Sequence, residues 1–149
     1  MKNLETIRKL RSFCGASIAS CKKALEDSGG DFDAAVRALR KEGVEIARRK
    51  SSRETHAGVV DSYVHGDRRL GAIIVVKTET DFVARNEEFQ SLAHEFAMQV
   101  AATSPKNIEE FLRQPFIKDP QKTVEDHMKE AISKFGENIE IIQFMRLEL

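Results

Sequence analysis

The sequence lacks most features that announce a function. Its two cysteines, Cys14 and Cys21, are too few for a disulfide framework and carry no zinc-ligand spacing, a usage that suits a reducing compartment. It has no net charge: 24 basic residues balance 24 acidic ones. No whole-molecule field therefore draws it onto nucleic acid or an anionic membrane, and a partner must be recognised by shape and local chemistry. No apolar run approaches the roughly 20 residues needed to span a bilayer. The opening MKNLETIRKL has neither the apolar core of a signal peptide nor the Ser-rich, acid-poor bias of a transit peptide. These absences lead us to expect a cytoplasmic protein of one domain or two small ones.

Catalytic patterns are missing too. His56, His65, His94 and His127 are scattered, with no two at metal-ligand spacing on one helix. There is no glycine-rich loop joined to a Lys-Ser/Thr pair and no nucleophile elbow. Cys21 falls on an apolar helical stripe, which favours a buried structural thiol over a nucleophile. The expectation is a binding protein rather than an enzyme, with no cofactor and no metal.

What is present is periodicity. Residues 1–45 read as three short amphipathic helices. Leu4, Ile7 and Leu10 share a face, as do Ile18, Cys21 and Leu25, and then Phe32, Ala35, Val36 and Leu39. Ser17 and Asp31 fit N-caps, and the glycine pair at 29–30 and Gly43 fit stops. Residues 46–55 are basic and then Ser-rich. They read as a linker, with an RNA-binding stripe of Arg48, Arg49, Lys50 and Arg53 as the alternative.

From residue 56 the period changes to two. GVVDSYVH and LGAIIVVK read as a hairpin turning at HGDR, its second strand apolar on both faces and so central. Asn86 fits the cap of a helix with Phe89, Leu92, Ala93, Phe96, Ala97 and Val100 on one face. NIEEFLRQP reads as a short helix or turn, and Thr123 opens a further helix. The closing IEIIQFMRLEL reads as a third strand with Ile139, Ile141, Met145, Leu147 and Leu149 on one face. The expected fold is α+β: a three-helix bundle, then residues 56–149 as an antiparallel three-stranded sheet covered on one face by helices. The uncovered face still carries aliphatic side chains, so a symmetric dimer is expected to cover it.

One stretch does not fit a plain connection. In TETDFVARNEEF, residues 78–89, Asp81 and Phe82 lie between the central strand and a helix. Either Asp81 caps and Phe82 is core, or residues 81–85 form a separate exposed turn whose aromatic acts as a wedge.

This stretch resembles the signature of the bacterial elongation factor Ts family, guanine-nucleotide exchange factors of elongation factor Tu. CKKALEDSGGDFDAAVRALRKEG is similar to that family's N-terminal ubiquitin-associated-like three-helix domain. QPFIKDPQKTV and GENIEIIQFMRLEL are similar to its closing segment. The resemblance implies that Thr80, Asp81, Phe82 and Val83 enter the partner's nucleotide domain near its Mg²⁺ and phosphate site. Phe82 would wedge between helices, Asp81 would disturb groups around the metal, and Thr80 and Val83 would hold the turn. It also implies contacts from Arg11, Ile18 and Ala19 of the N-terminal helices and from His65 of the hairpin. The family usually has two methionines where this chain reads IASCKKAL, so Ala19 offers less apolar reach. Long members carry two core subdomains and a helical insertion, whereas this chain has one core and KNIEEFLRQP in the insertion's place. Short members work as homodimers. A ubiquitin-associated-like adaptor without effect on nucleotide is the rival reading.

Overall fold

The computed structural model describes residues 2–149. Its elements run α1 (Lys2–Cys14), α2 (Ile18–Asp27), α3 (Phe32–Lys50), β1 (Ala57–Val64), β2 (Leu70–Thr78) and α4 (Asp81–Ala84). They continue with α5 (Glu87–Thr103), α6 (Ile108–Arg113), β3 (Pro115–Phe116), β4 (Asp119–Thr123), α7 (Val124–Phe135) and β5 (Ile139–Glu148). The chain divides into two compact units: residues up to Ser51 with Met128–Gly136, and Ser52–His127 with Glu137–Leu149.

In the first unit, α1, α2 and α3 bury Ile7, Leu10, Cys21, Ala24, Leu25, Ala35, Val36 and Leu39. Ser17 caps α2 by accepting from the Ser20 N–H at 3.0 Å, and Asp31 caps α3 by accepting from Ala34 at 2.9 Å. Gly29 and Gly30 turn the chain between them with φ of +60° and +87°, a region that glycine enters at low cost. Two expectations change. Leu4 and Ile18 sit in the first turns of their helices, beyond the buried seam, and are exposed. The third helix does not stop near Gly43 but continues to Lys50. Gly43 is buried within it, and a Cβ there would lie 3.6 Å from Ser133. The residues after it are mostly helix formers, with Ala47 buried. Arg48, Arg49 and Lys50 therefore form a last helical turn, where cations complement the helix dipole.

The second unit is built on an antiparallel sheet in the order β1–β2–β5. Helix α5 packs over β1 and β2. Its Phe89, Leu92, Ala93, Phe96, Ala97 and Val100 are buried, as are Ala72, Ile74, Val76 and Thr78 of the central strand. The other face of β2 is less covered: Ile73 is exposed and Val75 half-buried.

The closing strand does not alternate as its sequence reads. Val76 pairs with Ile141 but Val75 pairs with Gln143, so Ile142 is the extra residue of a β-bulge. A one-residue insertion exchanges the faces of everything beyond it. Ile139 and Ile141 are buried on the helix-covered face, while Met145 and Leu147 emerge on the other at 59% and 69% exposure. Phe144 and Arg146 take the inner positions, and Arg146 Nε donates to the Ala101 carbonyl at 2.9 Å. The open face thus gathers Val60, Val64, Ile73, Met145 and Leu147, all exposed aliphatic or thioether side chains.

A second, two-stranded sheet of β3 and β4 was not expected from sequence, because prolines and lysines interrupt its period. Long-range contacts hold it. Buried Gln99 accepts from Ile117 N–H at 2.9 Å and donates to the Pro115 carbonyl at 3.0 Å. Phe116 stacks on His127 at 4.2 Å. Glu95 pairs with His127 at 3.4 Å and accepts from Lys118 at 2.9 Å. The His127 bond leads in holding the Glu95 carboxyl below its ordinary range, against burial, with Lys118 adding to it.

Candidate partner-binding site

The stretch after β2 forms a separate turn. Thr80 is the N-cap of α4, accepting the Val83 N–H on its hydroxyl at 3.4 Å and the Ala84 N–H on its carbonyl at 3.1 Å. Asn86 then caps α5 by accepting from Glu88 at 2.8 Å, so the two helices are not continuous. The four residues of α4 divide by burial. Val83 and Ala84 are buried and root the turn, whereas Asp81 is exposed and Phe82 is 87% exposed. Of the two alternatives open at the level of sequence, the geometry is that of the exposed turn. Fully burying such a phenylalanine is worth about 2 kcal/mol, and the chain leaves that contribution unmade.

The base of the turn is held by a residue that sequence reasoning passed over. Beyond Thr78 the ladder to β5 ends, so the next N–H groups of β2 have no strand partner there. The carboxylate of Glu137 supplies one. Its Oε2 accepts from the Thr78 hydroxyl (2.9 Å), the Glu79 N–H (3.1 Å) and the Thr80 N–H (3.0 Å). Its Oε1 accepts from the Thr80 hydroxyl at 2.6 Å. Burial pushes the Glu137 carboxyl up, but these bonds outweigh it and hold the group below its ordinary range. The lock is reciprocal: Asn138 N–H donates to Glu79 Oε1 at 2.7 Å, and Glu79 also pairs with Arg53 at 3.6 Å. Nothing local in the sequence marks a carboxylate that acts across 57 positions.

The remaining candidates lie elsewhere. Arg11, Ile18 and Ala19 are exposed residues of the first unit, Arg11 in the last turn of α1 and the other two opening α2. His65 is exposed at the hairpin turn, where its N–H donates to Leu70 O at 2.8 Å and Tyr63 Oη lies 3.0 Å from its Nδ1. The hairpin turn and the Asp81–Phe82 turn occupy opposite ends of β2, about 25 Å apart along the strand. Of the basic run, Arg48 pairs with Glu45 at 3.1 Å, Lys50 donates to the Gly136 carbonyl at 2.7 Å and Arg53 engages Glu79. Those cations are committed within the chain.

A rooted turn projects an aromatic and an acid from the end of a small helix-covered sheet, and it makes this α+β protein a candidate for partner binding at that end. A family model described as Elongation factor TS matches residues 79–149, the stretch that contains the turn, α5 and the closing strand. The chain is 36% identical to elongation factor Ts of Thermodesulfovibrio yellowstonii over 189 residues, covering 97% of this chain and 94% of that protein. It is 35% identical to elongation factor Ts of Thermosipho melanesiensis, covering 98% and 97% respectively. For elongation factor Ts of a Synechococcus species the identity is 38%, covering 96% and 73%. The chain belongs to the elongation factor Ts family, whose members are nucleotide exchange factors and not enzymes. The alignment to the first of these relatives is longer than the 149 residues of this chain, so that relative has internal residues that this chain lacks.

Proposed function

We propose that the chain binds GDP-bound elongation factor Tu and speeds GDP release by inserting the Asp81–Phe82 turn near the Mg²⁺ and phosphate site. The observation that carries this reading is Phe82, 87% exposed on a turn whose following residues are buried. Phe82 supplies apolar area for a cleft in the partner, and Asp81 brings a negative charge toward groups around the metal. Thr80 and Val83 hold the turn in shape. A displaced Mg²⁺ no longer neutralises the diphosphate, so GDP leaves faster. The factor binds the nucleotide-free partner better than the GDP-bound one, and each ligand weakens the other by the same coupling free energy. GTP then displaces the factor, and no bond is made or broken.

Arg11, Ile18 and Ala19 add a second contact from the N-terminal helices, which we take as ubiquitin-associated-like, and His65 a third from the hairpin. In this reading residues 1–45 and 56–149 work as separate binding domains in the cytoplasm, without direct contact to nucleic acid. Among the described residues no helix is long and apolar enough to cross a membrane. A homodimer through the open sheet face covers Val60, Val64, Ile73, Met145 and Leu147. An isologous pairing lets one patch cover its own copy, and it lets one copy present the turn while its mate presents His65.

Release of a fluorescent GDP analogue from elongation factor Tu tests the reading. Wild type should accelerate release, and Phe82→Ala should lose most of the acceleration with little change in its own stability. A Phe82→Ala variant as active as wild type would remove the wedge. A wild type without effect on a competent partner would favour an adaptor acting through the N-terminal helices. For the dimer, light scattering should give twice the chain mass for wild type and a monomer for Ile73→Glu. A wild type that is monomeric at micromolar concentration would overturn it.

A further inference from the structure

The geometry points to Glu137 as a positioning residue for exchange: its carboxylate sets the end of β2 so that Asp81 and Phe82 are presented in one fixed orientation. The inference rests on the wedge reading above and names what makes the wedge effective.

A side chain as exposed as Phe82 cannot fix its own place by packing. Its position is inherited from the backbone beneath it. On the C-terminal side that backbone is secured by buried Val83 and Ala84. On the N-terminal side, Glu79 and Thr80 have run past the ladder, which ends at the Thr78–Ile139 pair. Glu137 replaces the missing strand there, gathering two N–H groups and two hydroxyls on one carboxylate. The Thr80 hydroxyl joins this clamp to the helical turn, because the same oxygen donates to Glu137 and accepts from Val83. Asn138 closes the lock from the other direction through Glu79. The following strand thus holds the preceding one by side chain where backbone pairing has ended.

Geometry of this kind acts on a rate rather than on gross affinity. Insertion of a pre-set turn costs no ordering at the moment of exchange, whereas a loose one must be ordered first. Freeing about one backbone residue corresponds to roughly a tenfold loss. Glu137→Gln keeps the size of the side chain but removes the charge and turns an NH₂ toward the clustered donors.

The experiment measures GDP release against factor concentration for wild type, Glu137→Gln, Phe82→Ala and the double variant. Glu137→Gln should lower the saturating release rate about tenfold, with a smaller change in the half-saturating concentration. In the Phe82→Ala background the same substitution should cost a smaller factor, since only Asp81 remains to be positioned. Thr78→Val, isosteric and removing a single donor, should give a smaller loss with the same dependence on Phe82, and it serves if Glu137→Gln does not fold. Wild-type rates for Glu137→Gln, with Phe82→Ala impaired, would overturn the positioning role and leave the wedge standing. An equal fold-loss in both backgrounds would show that Glu137 acts elsewhere. An unimpaired Phe82→Ala would overturn both.

Discussion

The two exposed turns at the ends of β2 are built on opposite plans. At one end, the Asp81–Phe82 turn has its own N-cap, a buried root and a carboxylate from β5's approach gathering four donors beneath it. At the other, residues 65–69 close a hairpin with backbone bonds from His65 N–H to the Leu70 carbonyl and from Arg68 N–H to the His65 carbonyl. Arg69 N–H donates to the Asp67 carboxylate, half-buried Tyr63 contacts His65, and Leu149 N–H makes one long-range bond to the Arg69 carbonyl. Arg68 even occupies the left-handed region at φ +60°, a conformation that costs an L-residue about 1 kcal/mol. The chain therefore places four long-range side-chain bonds under one turn and leaves the other mostly to local geometry, with the Leu149–Arg69 bond as its long-range tie. The clamped turn is the one that displays a large aromatic, as expected if its orientation decides what it does and the hairpin need only touch.

The sharpest way to break this contrast is Thr80→Ala. The substitution removes the cap of α4 and a hydroxyl bond to an ionised carboxylate, interactions worth about 1–2 kcal/mol together in a partly exposed setting. Urea unfolding should show a loss of that order, and GDP release should slow in parallel. The mirror change, His65→Ala, should leave stability within about 0.5 kcal/mol. Equal costs at the two ends would mean that the clamp is no more than a surface decoration.

Acid separates the turns next. The bonds to Glu137 keep its folded-state pKa below the ordinary 4.5 of a glutamate. The stabilisation they give is fully present above pH 4.5 and is lost as pH falls through the lowered folded-state value. Amide exchange at Glu79 and Thr80 should therefore lose protection below pH 4.5, while the His65 and Arg68 amides, bonded to carbonyls, keep theirs. Glu137→Gln should remove the pH dependence at Glu79 and Thr80. Protection that fades equally in both turns would point to global acid unfolding through other carboxylates, Glu95 among them.

What could be read from sequence follows the same division between local and long-range order. Ser17, Asp31 and Asn86 mark helix starts because capping is settled within three residues. The HGDR turn and the apolar central strand are likewise legible from neighbours. The end of α3 is not legible, because Gly43, a stop signal by itself, is buried within a helix that runs on to Lys50. The bulge at Ile142 was invisible, since an alternating pattern gives no sign of one residue standing outside its ladder. The β3–β4 hairpin depends on Gln99, and the clamp on Glu137, each acting from a distant part of the chain. Phe82 as core or surface is likewise set by long-range packing, since Val83 and Ala84 take the buried positions and leave Phe82 outside.

The smallest expected effect is at Arg68. Glycine there removes the left-handed penalty of about 1 kcal/mol but adds freedom to the unfolded chain worth roughly 0.5 kcal/mol or more. Arg68→Gly should thus raise stability by at most about 0.5 kcal/mol. GDP release should be unchanged, because the arginine side chain holds nothing at the other end of β2. A loss above about 1 kcal/mol would mean that the hairpin relies on the Arg68 side chain. Its order would then not be local, and the contrast between the two turns would shrink to the clamp alone.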